Sequence, residues 1–232
     1  FNLMGRKLPL HLYAPGNYHL MMMSHLNDFD IHLNFNIDFT SLGGENPVKI
    51  LDDKYLTVTS FPLEHRVPSF GFLFREKVSD RNIIKESIEK YKIPALRIPP
   101  IKKGADFVTE SGELIRNEEI TMPGPEPLSY AYCSDTRYFK RLASFVRDVK
   151  LLYHEATFED SLYDLAETTG HSTSSGAAKC ALEAGAGTLI IGHFSARHKD
   201  IWVLADQAGK IFPRTIPAVD GTTYDVGIIN VP

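Results

Sequence analysis

Apolar and polar positions alternate along residues 29–41 (FDIHLNFNIDFTS) and 54–65 (KYLTVTSFPLEH), a period of two that predicts half-buried β-strands. SFGFLFREK (69–77) reads as a third such run, and LPLHLYAP (8–15) as a strand stopped at Pro15. GNYHLMMMSHLN (16–27) has a helical pattern, and DRNIIKESIEKYK (80–92) spaces its apolar residues about one turn apart. IPALRIPPIKKG (93–104) has no clear period and is rich in proline and basic residues, which predicts an exposed connection. ADFVTESGELIRNEEITM (105–122) predicts a hairpin turning at Ser111–Gly112.

Beyond residue 128 the pattern changes to strand and helix in turn. SYAYCSD (129–135), KLLYHEAT (150–157) and TLIIGHF (188–194) predict short buried strands. TRYFKRLASFVRDV (136–149) and the small-residue run SSGAAKCALEAGA (174–186) predict helices between them, and residues 200–217 close the chain less regularly. Such alternation predicts an α/β layer with helices covering a mixed sheet. No repeat or low-complexity tract interrupts it.

Composition narrows the class only modestly. The 232 residues are 43% hydrophobic and 23% charged, an ordinary globular balance for one large domain or two small lobes. A net charge of −4 gives no global attraction to nucleic acid, so an RNA-binding role needs a local basic face. Two cysteines, Cys133 and Cys180, make no disulfide framework and point to a reduced, cytoplasmic setting. No apolar run approaches the roughly 18 residues of a membrane span. The first residue is Phe1, and the pattern opens in mid-course, which suggests sequence missing upstream.

The chemistry lies at the strand ends. His65 follows FPLE, Asp135 follows AYCS, and His193 follows TLIIG, while YHEATF adds His154 and Glu155 and GHST adds His171. Loops beyond strand termini host function because the strand fixes a side chain that the loop leaves open. Imidazole and carboxylate are zinc ligands, and a carboxylate with two free oxygens can bridge two ions that share a water and clamp a phosphate. Each residue also has an ordinary reading. Asp135 suits a helix N-cap, His154–Glu155 a surface pair, and His171 a helix entry capped by Ser172 or Thr173. Five such coincidences at one kind of position weaken the ordinary readings together.

The ordered series HRVPSFGF, YCSDTRY, YHEATF, GHSTSSGAAKCALEAGA and IIGHFSARH resembles the ribonuclease Z family, tRNA 3′-processing endonucleases of the metallo-β-lactamase superfamily. GRKLPLHLYAP resembles the segment after that family's first zinc motif, so the likeness covers essentially the whole chain. It implies a metallo-β-lactamase-type αββα sandwich of mixed sheets flanked by helices, one domain over 1–232 incomplete at its amino terminus. It implies a partial tRNA-binding arm over 80–104. His65 and His193 would each ligate one of two zinc ions, with manganese an alternative, and Asp135 would bridge them. His154, Glu155 and His171 would form the proton-handling cluster.

Precursor tRNA is the implied substrate, cut at its 3′ trailer, and a homodimer the implied assembly. Arg97, Lys102, Lys103 and Arg197 are candidate phosphate contacts, and a solvated basic loop or surface arginine explains them equally. The family's HxHxDH motif is absent from this sequence, so the chain carries about half of the dinuclear ligand set and is expected to cleave little by itself. Two other readings stand beside the nuclease. One is a hydrolase of the same superfamily acting on small phosphodiesters or esters. The other is a non-catalytic module for RNA binding or dimerisation.

Overall fold

The computed structural model describes residues 1–227 and divides into two units. The larger comprises residues 1–52, 58–74 and 129–232, of which 1–227 are described, and the smaller residues 53–57 and 75–128. In the larger unit the strands are β1 (Leu10–Pro15), β2 (Ile37–Leu42), β3 (Val48–Asp52), β4 (Leu56–Leu63) and β5 (Ser69–Glu76), the last two running on into the smaller unit's residues. After residue 128 come β6 (Ser129–Cys133), β7 (Leu151–Glu155), β8 (Thr188–Gly192) and β9 (Thr215–Pro217). The helices are α1 (Gly16–Asp28), α2 (Lys140–Phe145), α3 (Tyr163–Thr169), α4 (Ser174–Ala184) and α5 (Trp202–Gly209).

Seven strands form one sheet in the order β9-β8-β7-β6-β5-β4-β3, and β1 pairs with β2 in a separate parallel pair bridged by α1. Strands β6 to β9 are mutually parallel. Cys133 lies opposite His154, and Glu155 opposite Gly192. The carboxyl ends of β6, β7 and β8 therefore fall along one edge of the sheet, where the side chains that follow them can converge.

Alternation on these strands sorts the core. Ala131, Cys133, Leu152, Leu189 and Ile191 join Leu142 and Val146 with Ala177, Ala178, Ala181 and Ala184 of α4. The alanines let α4 lie close to the sheet. Its limits are set by the Thr173 hydroxyl, which accepts from Gly176 N, and by Gly185 in the left-handed conformation. Leu151, Ile190 and Ile216 take the opposite face with Tyr130 and Tyr153.

In the smaller unit Phe107–Val108 pairs antiparallel with Leu114–Ile115, turning through Gly112 at φ 86°, as the hairpin pattern requires. Its core gathers Ile93, Ile101, Phe107, Ile115 and Ile120.

Several elements differ from the pattern-based expectation. Of residues 29–41 only those from Ile37 onward enter a strand. The helix over 80–92 shrinks to Lys85–Lys90, because Asn82–Ile83 pairs with Thr121–Met122. Residues 95–102, expected to be irregular, are helical, with Ile101 buried in the small core. The helix over 136–149 is confined to Lys140–Phe145, because Thr136 and Arg137 hydrogen-bond to Glu64 and Asp148 turns at φ 54°. Helix α3 and helix α5 have no counterpart in the periodicity.

Candidate metal and acid–base site

Glu155 ends β7 fully buried, and its carboxylate collects five donors. Oε1 accepts from Thr136 N at 2.9 Å and His171 Nδ1 at 2.7 Å. Oε2 accepts from Thr157 Oγ1 at 2.6 Å, Thr157 N at 3.1 Å and Ser172 N at 3.1 Å. Burial pushes this carboxyl upward, but the bonds from His171, Thr157 and Thr136 outweigh it and hold it below the ordinary carboxylate value. The same bond raises His171, against the opposing effect of its own burial.

The donor arithmetic fixes the imidazoles. The single hydroxyl proton of Thr157 goes to Glu155, so its oxygen accepts from His193 Nδ1 at 2.9 Å. His171 donates through Nδ1 to Glu155, and His65 donates through Nδ1 to the carbonyl of Gly170 at 2.8 Å. All three rings are thus held by Nδ1 and leave Nε2 available as a ligand atom. Gly170 is at φ 78° and closes α3. A Cβ there would sit 3.0 Å from His65 Nδ1, so the position needs glycine.

His193 follows β8 at φ 60°, a conformation costly for a side chain with a Cβ and one that concentrates at functional sites. Its Nε2 lies 3.2 Å from Asp135 Oδ1. With Nδ1 donating to Thr157, Nε2 meets the carboxylate oxygen either through its own proton or, with a cation between them, as a ligand atom. Asp135, His171 and His193 each offer a donor atom, and the three atoms lie within 4.8 Å of one another. One oxygen and two nitrogen donors suit a divalent transition ion with open positions. The residues present therefore fit a metal.

The residues singled out from the sequence do not all converge. Asp135, Glu155, His171 and His193 come together directly, and the ring of His65 lies 4.8 Å from that of His171 and the ring of His193 5.4 Å from it. Within the tight donor set His171 stands where the sequence reading had His65. The reason is the tether of His65 to Gly170, on the His171 loop. His154 stays apart. It is fully buried, one residue out of phase with Glu155, with Nδ1 bonded to the Glu155 carbonyl at 2.7 Å and Nε2 without a partner among the described residues. Burial lowers its basicity, leaving a neutral core imidazole.

Arg197 is exposed and bonds to Ser195 Oγ at 3.3 Å through its guanidinium. Arg97 and Lys102 lie on the short helical segment of the smaller unit, and Lys103 follows its end. The sequence reading missed Thr157, Thr136 and Ser172, the donors to Glu155. A hydroxyl two residues after a strand-end acid was the available signal for Thr157.

Comparison with known proteins follows this geometry. No family model matches the chain. Ribonuclease Z of Bacteroides fragilis (strain YCH46) is 40% identical over 218 residues, covering 94% of this chain and 72% of that protein. Ribonuclease Z of Cytophaga hutchinsonii is 39% identical over 228 residues, with 97% and 72% covered. Among solved structures, the short form of human tRNase Z superposes with a TM-score of 0.63 at 19% identity, over 97% of this chain and 70% of that one. The metallo-β-lactamase fold protein YhfI of Bacillus subtilis gives 0.60 at 16% identity, over 97% and 68%.

Proposed function

The chain belongs to the ribonuclease Z family, with its metallo-β-lactamase fold, and we propose that it is a zinc-dependent endoribonuclease that removes 3′ trailers from precursor tRNA by phosphodiester hydrolysis. The observation that carries this reading is the Asp135 oxygen facing His193 Nε2 beside a second imidazole anchored on a buried carboxylate. Asp135 and His193 would hold the metal, joined by His65, whose Nε2 is likewise left free. Bound there, a divalent ion supplies charge for the phosphate oxygens and acidifies water.

The chain's own residues do the rest. Glu155 keeps His171 protonated at Nδ1 and stabilises its imidazolium, so Nε2–H can pass a proton to the leaving 3′ oxygen. Thr157 couples the two functions, since its hydroxyl donates to Glu155 and accepts from His193. His154 acts from behind, bracing the Glu155 carbonyl from the core. Arg97, Lys102, Lys103 and Arg197 serve as phosphate contacts, the first three within an arm over residues 80–104.

We read the protein as a cytoplasmic homodimer. No helix among the described residues is long and apolar enough to cross a membrane. Helix α1 buries none of its residues and exposes Leu20 and Met21, apolar surface that a partner subunit would cover. The test is cleavage of precursor tRNA carrying a labelled trailer by the zinc-loaded chain completed with a relative's HxHxDH-bearing segment, beside elemental analysis; the chain by itself is expected to cleave little. Cleavage immediately 3′ of the discriminator nucleotide is expected, with both cleavage and zinc content falling in Asp135→Ala. Retention of full cleavage by that variant would overturn the assignment.

A further inference from the structure

Helix α5 packs Leu204, Ala205 and Ala208 into the core, and its outer ridge carries Trp202, Asp206 and Lys210 at intervals of four residues. The backbone is still helical at Lys210, with φ −66° and ψ −25°. Beside this ridge opens a concavity of about 530 Å³, lined also by Gly209, Pro213 and Thr215. That volume falls within the range of small-molecule sites. Gly209 leaves room in it, since a Cβ there would meet no atom within 4 Å. Thr215 is already engaged, its hydroxyl donating to the Phe212 carbonyl.

Trp202, the single tryptophan of the chain, is 54% exposed. Its backbone N–H donates to Asp200 Oδ1 at 2.9 Å, which fixes the start of the helix beneath the ring. Asp206 and Lys210 are exposed, and neither side chain has a hydrogen bond or ion pair among the described residues. An acid four residues before a base is the favourable order for an ion pair on a helix, yet these two stay apart. Two unlike charges left unpaired beside an exposed indole suit a ligand that carries both signs.

We propose that this concavity binds a guanidinium group and a free carboxylate joined by a short chain, the chemistry of arginine or of a peptide ending in it. The guanidinium lies over the Trp202 ring and against Asp206, and the carboxylate meets Lys210. Guanidinium suits the first two better than ammonium, because its plane stacks on an indole and its paired N–H groups match a carboxylate. A polyamine would set a cation against Lys210, and a nucleic-acid backbone a phosphate against Asp206. None of these residues serves the metal or acid–base site, so the inference stands apart from the nuclease reading.

Trp202 reports on its own site. Its emission is followed as the protein is titrated with arginine, with agmatine, which lacks the carboxylate, and with citrulline, whose urea group replaces the guanidinium. Arginine should change the emission saturably, agmatine should bind about fivefold more weakly, and citrulline should give no saturable change. Asp206→Asn should weaken arginine about fivefold and keep its advantage over agmatine, whereas Lys210→Met should bind the two equally. Both substitutions replace exposed side chains, and the ligand series tests the site on the unchanged protein as well. Glycyl-glycyl-arginine separates the two sources: tighter binding of the peptide assigns the site to chain termini, and tighter binding of arginine to the free amino acid. The proposal is overturned by equal responses to citrulline and arginine, by an arginine–agmatine difference that survives Lys210→Met, or by no saturable response to either arginine or the peptide.

Discussion

Glu155→Gln changes one atom at the centre of the site, and its cost can be worked from the donors around it. Placed at Oε2, the new amide nitrogen would face the N–H groups of Thr157 and Ser172, which cannot turn away. Placed at Oε1, it faces His171 Nδ1, which can change tautomer and accept, and Thr136 N–H, which cannot. The amide therefore takes the Oε1 side and strands the buried Thr136 N–H. That orphan costs about 1–3 kcal/mol, and neutralising the acceptor of the remaining bonds adds about 1 kcal/mol, a total of about 2–4 kcal/mol. For a chain of this size the loss corresponds to a fall in Tm of roughly 5–15 °C.

The assay is thermal and denaturant unfolding of metal-free protein across pH. The folded Glu155 carboxyl lies below its ordinary value of 4.5, so its contribution is complete above that value and disappears as pH falls through the lowered one. Folded His171 lies above its ordinary 6.5, so its contribution is complete below that value and disappears as pH rises through the raised one. The gap between wild type and Glu155→Gln should therefore be widest between pH 4.5 and 6.5. A Tm fall under about 2 °C, or a gap that does not change with pH, would refute the role given to this carboxylate.

Three further outcomes test neighbouring steps. Thr157→Val should leave the fold intact yet weaken zinc binding by about 10–100-fold, because His193 loses the acceptor that orients it; titration with a competing chelator measures this. Gly170→Ala places a Cβ against His65 in a left-handed backbone, costing about 1–2 kcal/mol, and should shift the His65 ring signals in an NMR spectrum while those of His11 stay unchanged. Cys180 is pushed up to about 12 and Cys133 well above its ordinary value, both by burial, so neither thiol should react with iodoacetamide at pH 8 until the protein unfolds.

Much of this architecture is legible from the pattern of residues. The strands at 151–155 and 188–192 read correctly because they are buried on both faces and give short continuous apolar runs, and 129–133 because its buried positions alternate with more open ones. The site residues at their ends were visible for the same reason, since a polar side chain closing an apolar run stands out. The helices were harder. Helix α3 carries only Ala166 fully buried, so its sequence lacks an apolar stripe. Residues 136–139 look helical but stay outside the helix because the Thr136 backbone N–H serves Glu155, a tertiary demand that local periodicity does not encode. The distinction between His154 and Glu155 lay in the strand's two-residue alternation. It needed the sheet's buried face, which adjacent letters do not supply.

The register of β7 decides which chemistry the protein can carry. Pairing Cys133 with His154 and Glu155 with Gly192 sends the carboxylate to the sheet edge, between the segment holding Asp135 and the segment holding His193. A slip of one residue would exchange the two side chains, burying an unpaired carboxylate in the core and presenting an imidazole to Thr136, Thr157 and Ser172. Those three residues offer backbone N–H groups, and a neutral imidazole has one acceptor where the carboxylate has two oxygens. Gly192 makes the pairing obligatory from the other side, because any Cβ there would collide with the Tyr153 ring. The site is therefore specified twice, by the hydrogen-bond capacity of one carboxylate and by the space beside one glycine, and both depend on the same alignment of β7 with β8.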